Sequence, residues 1–282
     1  MSAATSLDHL GWVARDAGAL HGRFERLGFR LTPWASHTGA PAPGRAPTRL
    51  ATGNRCAMLR DGGYLELVGI ADAGLPPGWI GPYLDRGDGL RVLALGMDDA
   101  EANLARLRRA GLPAPAVLSL QRPLSDAEPE GPQARFALLP LPDAAEGRVQ
   151  LVQHLTPEAM WQERFLGHPN RAVALEAAIL AVECPAASAA RFSRLAGRPV
   201  VPDPLGGYAL PLARGSVRLL PPEALAAAVP GAAAPSLPLI AAAVVRVDDG
   251  GRAVRALLGE EGREVPGGLL VEAGGGWVLF RW

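Results

Sequence analysis

The sequence of 282 residues contains no lysine, only two cysteines and no excess of either charge, since 28 basic side chains face 28 acidic ones. Aromatic residues make up only 5%. A nucleic-acid-binding protein usually carries a basic surplus and aromatic residues for base stacking, so the composition predicts no nucleic-acid partner. Cys56 and Cys184 lie far apart in the sequence, which excludes a disulfide framework and a CxxC metal or redox motif.

Long hydrophobic runs are also missing. The longest apolar stretch, residues 238–245, is too short to span a bilayer. The first ten residues lack the basic segment and the apolar segment of a signal peptide. We therefore expect no membrane partner and a cytoplasmic protein. The sequence contains no GxxxxGK[ST], GxSxG or HExxH motif, so it offers no phosphate-binding loop, nucleophile elbow or zinc-protease helix.

One pattern of strand, acidic turn and helix occurs four times. It is clearest at residues 6–29, SLDHLGWVARDAGALHGRFERLGF, where an apolar run leads through Asp16 into apolar residues at helical spacing and a glycine stop. Three runs typical of strands follow, RLTP, GNRCAML and GYLELVGI. The same order returns from residues 90, 173 and 239, and RFSRLAG in the third copy closely repeats RFERLG in the first.

These repeats predict an α+β fold of four βαβββ modules, paired into two domains. The helix of a module covers one face of its sheet and leaves the other face open, so pairing two modules creates a cleft. The predicted domains are residues 1–160, with modules 7–70 and 89–155, and residues 161–282, with modules 173–220 and 236–282.

Several motifs in the first half follow an order found in a known superfamily. They are Asp8-His9, the segment from His37 to Thr52-Gly53-Asn54, Tyr64-Leu65-Glu66-Leu67, and His154-Leu155-Thr156-Pro157-Glu158. In this order the chain resembles the vicinal oxygen chelate superfamily, which includes glyoxalase I, extradiol dioxygenases and bleomycin-resistance proteins, and more closely its glyoxalase-like branch. The resemblance implies a cleft in which a divalent metal, Zn, Fe, Mn or Ni, chelates vicinal oxygens of a small metabolite.

His9 and Glu66 are the candidate catalytic residues. Strand alternation puts His9 on the face that it shares with Leu7, and puts Glu66 opposite Leu65 and Leu67. If the two leucines face the helix, His9 and Glu66 meet in the cleft. The resemblance implies that both are metal ligands, and Glu66 is also a candidate base.

The second module offers fewer ligands. Its first strand has no ligand where His9 would repeat, and Gln150 stands where Glu66 would repeat. The predicted metal ligands are therefore His9, Glu66 and Gln150. The residues expected to bind substrate are His37, Asn54, Tyr64, Gln150 and His154.

Two functions of different classes fit this pattern. The first is a glyoxalase-like enzyme that acts on a small oxygen-rich metabolite through metal-assisted lyase, isomerase or dioxygenase chemistry. The second, favoured by the incomplete ligand set, is a metal-free protein that binds or sequesters a small molecule, as bleomycin-resistance members do. The expected partner is a small-molecule ligand, with or without a divalent metal, and the chain is expected to be a monomer or homodimer.

The Gly- and Pro-rich segment 37–54 is long for a loop of a compact domain, so we expect it to border the cleft as a lid. Its Arg45 and Arg49, with the neighbouring Arg55, either bind an anionic substrate or are solvated. His21 is expected on the helix surface.

The second half, residues 172–282, is expected to be a structural copy without a site. Ala177 stands where His9 would repeat, and the strand SVRLL has no acid where Glu66 would repeat.

Overall fold

The computed structural model of the chain describes residues 3–39, 48–114, 116–141, 144–234 and 236–282. It contains two eight-stranded mixed sheets, each made of two βαβββ modules. The predicted α+β fold with two paired-module domains is confirmed. Within the described residues, no helix is long and apolar enough to cross a membrane.

The first sheet has the strand order β2-β3-β4-β1-β5-β8-β7-β6. Its strands are β1 (Ala4–Ala14), β2 (Ala35–Gly39), β3 (Thr48–Met58), β4 (Tyr64–Ile70), β5 (Gly89–Met97), β6 (Leu118–Pro123), β7 (Gln133–Leu141) and β8 (Arg148–His154). The helices of this half are α1 (Ala17–Arg26), the short α2 (Gly81–Leu84), which follows a 3₁₀ turn at Gly78–Ile80, and α3 (Ala100–Arg109).

A connection leads to the second sheet through α4 (Pro157–Met160) and a 3₁₀ turn at Glu163–Phe165. The strand order there is β10-β11-β12-β9-β13-β16-β15-β14. The strands are β9 (Ala172–Ala181), β10 (Val201–Pro202), β11 (Tyr208–Pro211), β12 (Ser216–Leu220), β13 (Leu239–Val247), β14 (Arg263–Val265), β15 (Gly268–Ala273) and β16 (Gly276–Arg281). The helices are α5 (Pro185–Ala196), α6 (Pro222–Ala228) and α7 (Arg252–Leu258), with a 3₁₀ turn at Gly259–Glu261.

The two modules of the first sheet are matched in detail. β1 runs parallel to β4, β5 runs parallel to β8, and β1 and β5 meet antiparallel at the centre. Gly11 pairs with Glu66 as Ala94 pairs with Gln150, so Gln150 occupies the position of Glu66 in the second module. Both long helices begin at an aspartate whose carboxylate caps the third following amide, as expected for an acidic turn.

The helix-facing sides of both sheets share one hydrophobic core. Trp12 and Phe24 from the first half belong to the same buried cluster as Phe192 and Phe280 from the second. The indole of Trp12 donates a hydrogen bond of 2.7 Å to the carbonyl of Ala273. The helices and the apolar strand faces pack in this core. The opposite face of each sheet can therefore either form a site or be covered by other segments.

The second strand of the first module does not form where the sequence predicted it. The segment RLTP, residues 30–33, forms no strand: the amide of Thr32 donates to the carbonyl of Cys56 at 2.9 Å, but Pro33 has no N–H with which to continue a ladder. The edge strand is instead β2, which lies in the predicted loop. The prediction that His21 lies on the helix surface is also wrong. The side chain is buried, with its Nε2 3.1 Å from the carbonyl of Leu67.

A β-bulge interrupts the first strand at the candidate site. Leu7 pairs with Leu95 and His9 pairs with Ala94, so Asp8 is an extra residue on β1. Leu7 therefore joins the helix-side core, contrary to the expectation that it shares a face with His9. The bulge leaves both Asp8 and His9 available to the open face of the sheet.

Candidate functional site

A cavity of about 290 Å³ lies on the open face of the first sheet. Its polar wall includes six of the residues predicted for the site, while His154 lies behind this wall, in a more open cavity beside Asp8. The six are His9, His37, Asn54, Tyr64, Glu66 and Gln150.

His9 lies between two carboxylates. Its Nδ1 is 2.7 Å from Oδ1 of Asp8, and its Nε2 is 3.8 Å from Oε2 of Glu66. An ionised carboxylate only accepts hydrogen bonds, so the Asp8 contact places a proton on Nδ1 of His9. Nε2 is then the ring nitrogen that faces the cavity, which is the arrangement of a general base.

Asp8 is fixed by a second histidine. Nε2 of His154 lies 3.2 Å from both oxygens of the Asp8 carboxylate, and Asp8 is only 3% exposed. Burial alone would raise the pKa of Asp8, but His154 and then His9 outweigh it through charge and hydrogen bonding, and the pKa falls well below its ordinary value. Asp8 is therefore a carboxylate held on two sides by imidazole.

Tyr64 supports the other side of His9. The two rings stack at a centroid distance of 4.4 Å and an interplanar angle of 28°. Burial raises the pKa of Tyr64 well above its ordinary value, and the charges of Asp8 and Glu66 add to this shift. Tyr64 thus remains a neutral phenol that fixes the plane of the imidazole.

Two amides complete the polar wall. Nδ2 of Asn54 donates to Oε1 of Glu66 at 2.7 Å. Nε of Arg148 donates to Oε1 of Gln150 at 2.9 Å, and because a guanidinium can only donate, the Gln150 oxygen must face the arginine. The amide nitrogen of Gln150 then faces His9, 3.5 Å from Nε2.

These donors do not fit a resident catalytic metal. His9 and Glu66 are close enough to share an ion, and the Asp8–His9 contact resembles the support that ligating histidines receive. A catalytic site of this kind usually has three protein ligands, however, and Arg148 holds the oxygen of Gln150, the third predicted ligand. Within the described residues, no three His, Cys, Asp or Glu side chains come together as a metal-binding group.

His37 lies on β2 at the edge of the cavity, with its Nδ1 3.1 Å from the hydroxyl of Thr52. Burial lowers the pKa of His37 to about 4, although the charge of Glu66 opposes the shift. The imidazole is therefore neutral at physiological pH. Residues 40–47, including Arg45, lie outside the described residues, and the role of segment 37–54 as a lid stays a prediction.

Sequence reasoning missed four contributors to the site: Asp8 as the partner of His9, and Trp79, Arg122 and Arg148 in the cavity wall. Arg148 could have been found, because it lies two residues before Gln150 on the same face of β8. The arginines named from the sequence have other contacts: Arg55 donates to Glu25 at 2.8 Å, and Arg49 lies 3.7 Å from Asp126.

More than half of the chain matches a described family, from the first module into the third. The profile of the Glyoxalase-like domain matches residues 7–196. The chain belongs to this family. The predicted relation to the glyoxalase-like branch of the vicinal oxygen chelate superfamily is thereby confirmed. Comparison with curated proteins found no match.

Solved structures similar to this glyoxalase-like protein share its fold over nearly the whole chain. A hypothetical protein from Staphylococcus aureus has a TM-score of 0.65 at 10% identity, over 98% of each chain. The Mn(II)-bound glyoxalase from Novosphingobium aromaticivorans has a TM-score of 0.59 at 12% identity, over 99% of this chain and 82% of that one. A mutant of 4-hydroxymandelate synthase from Streptomyces coelicolor has a TM-score of 0.57 at 18% identity, over 94% and 78%.

Proposed function

We propose that the cavity of the first domain takes up a small oxygen-rich metabolite, and that His9 moves a proton at a carbon next to a carbonyl group. The observation that supports this proposal is the Asp8–His9 contact of 2.7 Å, which places a proton on Nδ1 and leaves Nε2 as the nitrogen that faces the cavity. Among the reactions of the superfamily, this favours isomerase or lyase chemistry.

The proton transfer uses groups that are already in place. The substrate C–H bond breaks, an N–H bond forms at Nε2 of His9, and the electron pair moves onto the carbonyl oxygen as an enolate. Asp8 and Glu66 stabilise the imidazolium that results. The enolate oxygen is stabilised by donors on the β8 side of the cavity, namely the amide of Gln150 and the guanidinium of Arg148. Return of the proton to the other face of the enolate gives an isomer, and loss of a β-substituent gives a lyase product.

The test is solvent-deuterium exchange at carbons next to a carbonyl, followed by NMR. The purified protein is incubated in D₂O with short α-keto and α-hydroxy compounds and aldehydes, before and after dialysis against a chelator. We expect exchange that survives chelation and that is lost in His9→Ala. Restoration of lost exchange by Mn²⁺, Ni²⁺ or Zn²⁺ would instead support metal-assisted chemistry, and Glu66→Gln would then abolish metal binding.

A second candidate function is binding without turnover. It is favoured by the apolar part of the cavity wall, which includes Trp79, Phe136, Leu138 and Val152. A binding protein would be stabilised against heat by a compound of the same panel, yet would exchange none of its protons. His9→Ala would then leave the affinity nearly unchanged.

A further inference from the structure

Arg148 is a cation on the wall of a cavity, with no carboxylate partner among the described residues. Its Nε donates to the neutral amide of Gln150, and its guanidinium lies 4.4 Å above the ring of Trp79. Burial lowers the pKa of Arg148, which shows that its charge is partly desolvated. The charge of Glu66 offsets only part of this effect, and no described carboxylate forms an ion pair with Arg148, so its charge is incompletely compensated.

Arg122 brings a second positive charge to the same cavity. It lies on the edge strand β6, and its guanidinium donates a hydrogen bond of 3.2 Å to the carbonyl of the next residue, Pro123. Both guanidinium groups act on the same imidazole, since each lowers the pKa of His37 after the larger effect of burial.

The ionised groups of the wall leave a surplus of one positive charge. Among the residues of the wall that the structure describes, Arg122 and Arg148 face a single carboxylate, Glu66, while the whole chain has a formal net charge of zero. A monoanion neutralises this surplus, whereas a dianion such as a phosphate monoester exceeds it and is repelled by Glu66. The remaining wall is largely apolar, and the volume of about 290 Å³ suits a small ligand.

We propose that the cavity recognises a small monocarboxylate with an apolar tail, whose carboxylate binds Arg148 and Arg122 while the tail lies against the apolar wall. The planar fork of a guanidinium matches a carboxylate through two parallel hydrogen bonds, and its stacking on Trp79 fixes the plane of that fork.

This assignment of substrate class rests on the proposed function and fits its geometry. Only the amide of Gln150 separates Arg148 from His9, since one end of that amide contacts each residue. A carboxylate on Arg148 therefore brings the adjacent carbonyl and the carbon beyond it towards Nε2 of His9. α-Keto acids carry their exchangeable proton on that carbon.

The experiment measures affinity by calorimetry for α-keto acids from pyruvate to α-ketocaproate, each beside its neutral amide, with acetate and acetamide as minimal probes. The acids are expected to bind at least tenfold more tightly than their amides. Arg148→Met should weaken binding of the acids by about tenfold to a hundredfold, which is the usual effect of losing a charged hydrogen bond. The amides should be almost unaffected.

Arg135→Gln is the matched control, because this arginine is exposed on β7 and lies outside the cavity wall. Arg122→Gln should give a smaller loss, and it provides a second variant if Arg148→Met does not fold. Equal affinity for acids and amides, no binding of any acid, or equal effects of the Arg148 and Arg135 variants would each overturn the assignment. Acid binding that depends on Arg148, without deuterium exchange, would support the carboxylate site and contradict the proposed proton transfer. Deuterium exchange confined to neutral compounds would support the proposed proton transfer and contradict the carboxylate site.

Discussion

The open faces of the two sheets differ although the modules beneath them follow the same plan. In the first half, Asp8, His9 and Glu66 lie on this face beside a cavity. In the second half, Ala177 lies at the position of His9, and the corresponding face is packed with small and aliphatic side chains. Arg218 lies at the position of Glu66, where it forms two hydrogen bonds of 2.7 Å with the buried Asp203.

The segment that joins the two modules of each half explains much of the difference. In the first half it covers only one end of the open face, where Ile80 and Leu84 pack against Val13, Val68 and Val92. In the second half, α6 and the residues after it cover the face more fully, with Leu225 and Val229 buried against the strands. The same scaffold therefore forms an open cavity or a filled core, depending on one short connection and a few strand residues.

The largest expected effect is on the residue that only the first half retains. His9→Ala should lower the rate of proton exchange by about a hundredfold to ten-thousandfold, the usual contribution of a general base. Ala177→Ser, at the matching position of the second half, should leave the rate unchanged. Deuterium exchange followed by NMR measures both rates. A similar loss in the two variants would show that the halves do not differ in function.

The next largest effect is expected at Asp8, the extra residue of the β-bulge. Asp8→Asn keeps the shape of the side chain but removes the charge that stabilises the His9 imidazolium, so the exchange rate should fall by about a hundredfold. Affinity for the ligand should change less than the rate, because Asp8 lies behind His9 and not in the cavity wall. Separate measurement of kcat and KM tests this, and a loss confined to KM would contradict the positioning role.

A change in the filled face should affect stability without affecting function. Leu225 is 2% exposed, and Leu225→Ala should lower the free energy of unfolding by about 2–5 kcal/mol. Leu118→Ala, at the rim of the open cavity, should cost less than about 0.5 kcal/mol because Leu118 is 42% exposed. Urea denaturation measures both. Weaker ligand binding in Leu225→Ala under folded conditions would show that the second face contributes to the site.

The smallest expected effect is on the pH dependence of stability, through His37 at the edge of the cavity. The pKa of His37 is about 4 in the folded protein and about 6.5 when unfolded, so between these values the unfolded chain binds more protons. The free energy of unfolding should therefore decrease as pH falls from about 6.5 to 4, by up to about 1.4 kcal/mol per pH unit from this residue. His37→Gln should flatten this slope in denaturation curves recorded across that range. An unchanged slope would show that His37 is not buried as a neutral ring.

Strand alternation predicted many of the side chains that line the cavity, because a period of two residues determines which side chains share a face. His9, Glu66, Tyr64 and Gln150 come from strands whose apolar neighbours reveal their orientation. His154 lies on a predicted strand too, yet it contacts Asp8 from behind the cavity wall, because the bulge turns Asp8 towards it. No local pattern indicates a bulge, since it depends on the register with β5.

The sequence by itself determined the four βαβββ modules and the absence of a histidine at the His9 position of the third module, because these follow from patterns within single segments. It also predicted the pairing of modules, since each module leaves one face of its sheet open. The tertiary structure alone decided that Asp8 supports His9, that Arg122 and Arg148 share a cavity with Glu66, and that α6 fills the second open face. Each of these depends on contacts between strands or modules far apart in the chain, where register and packing, and not local pattern, place the side chains.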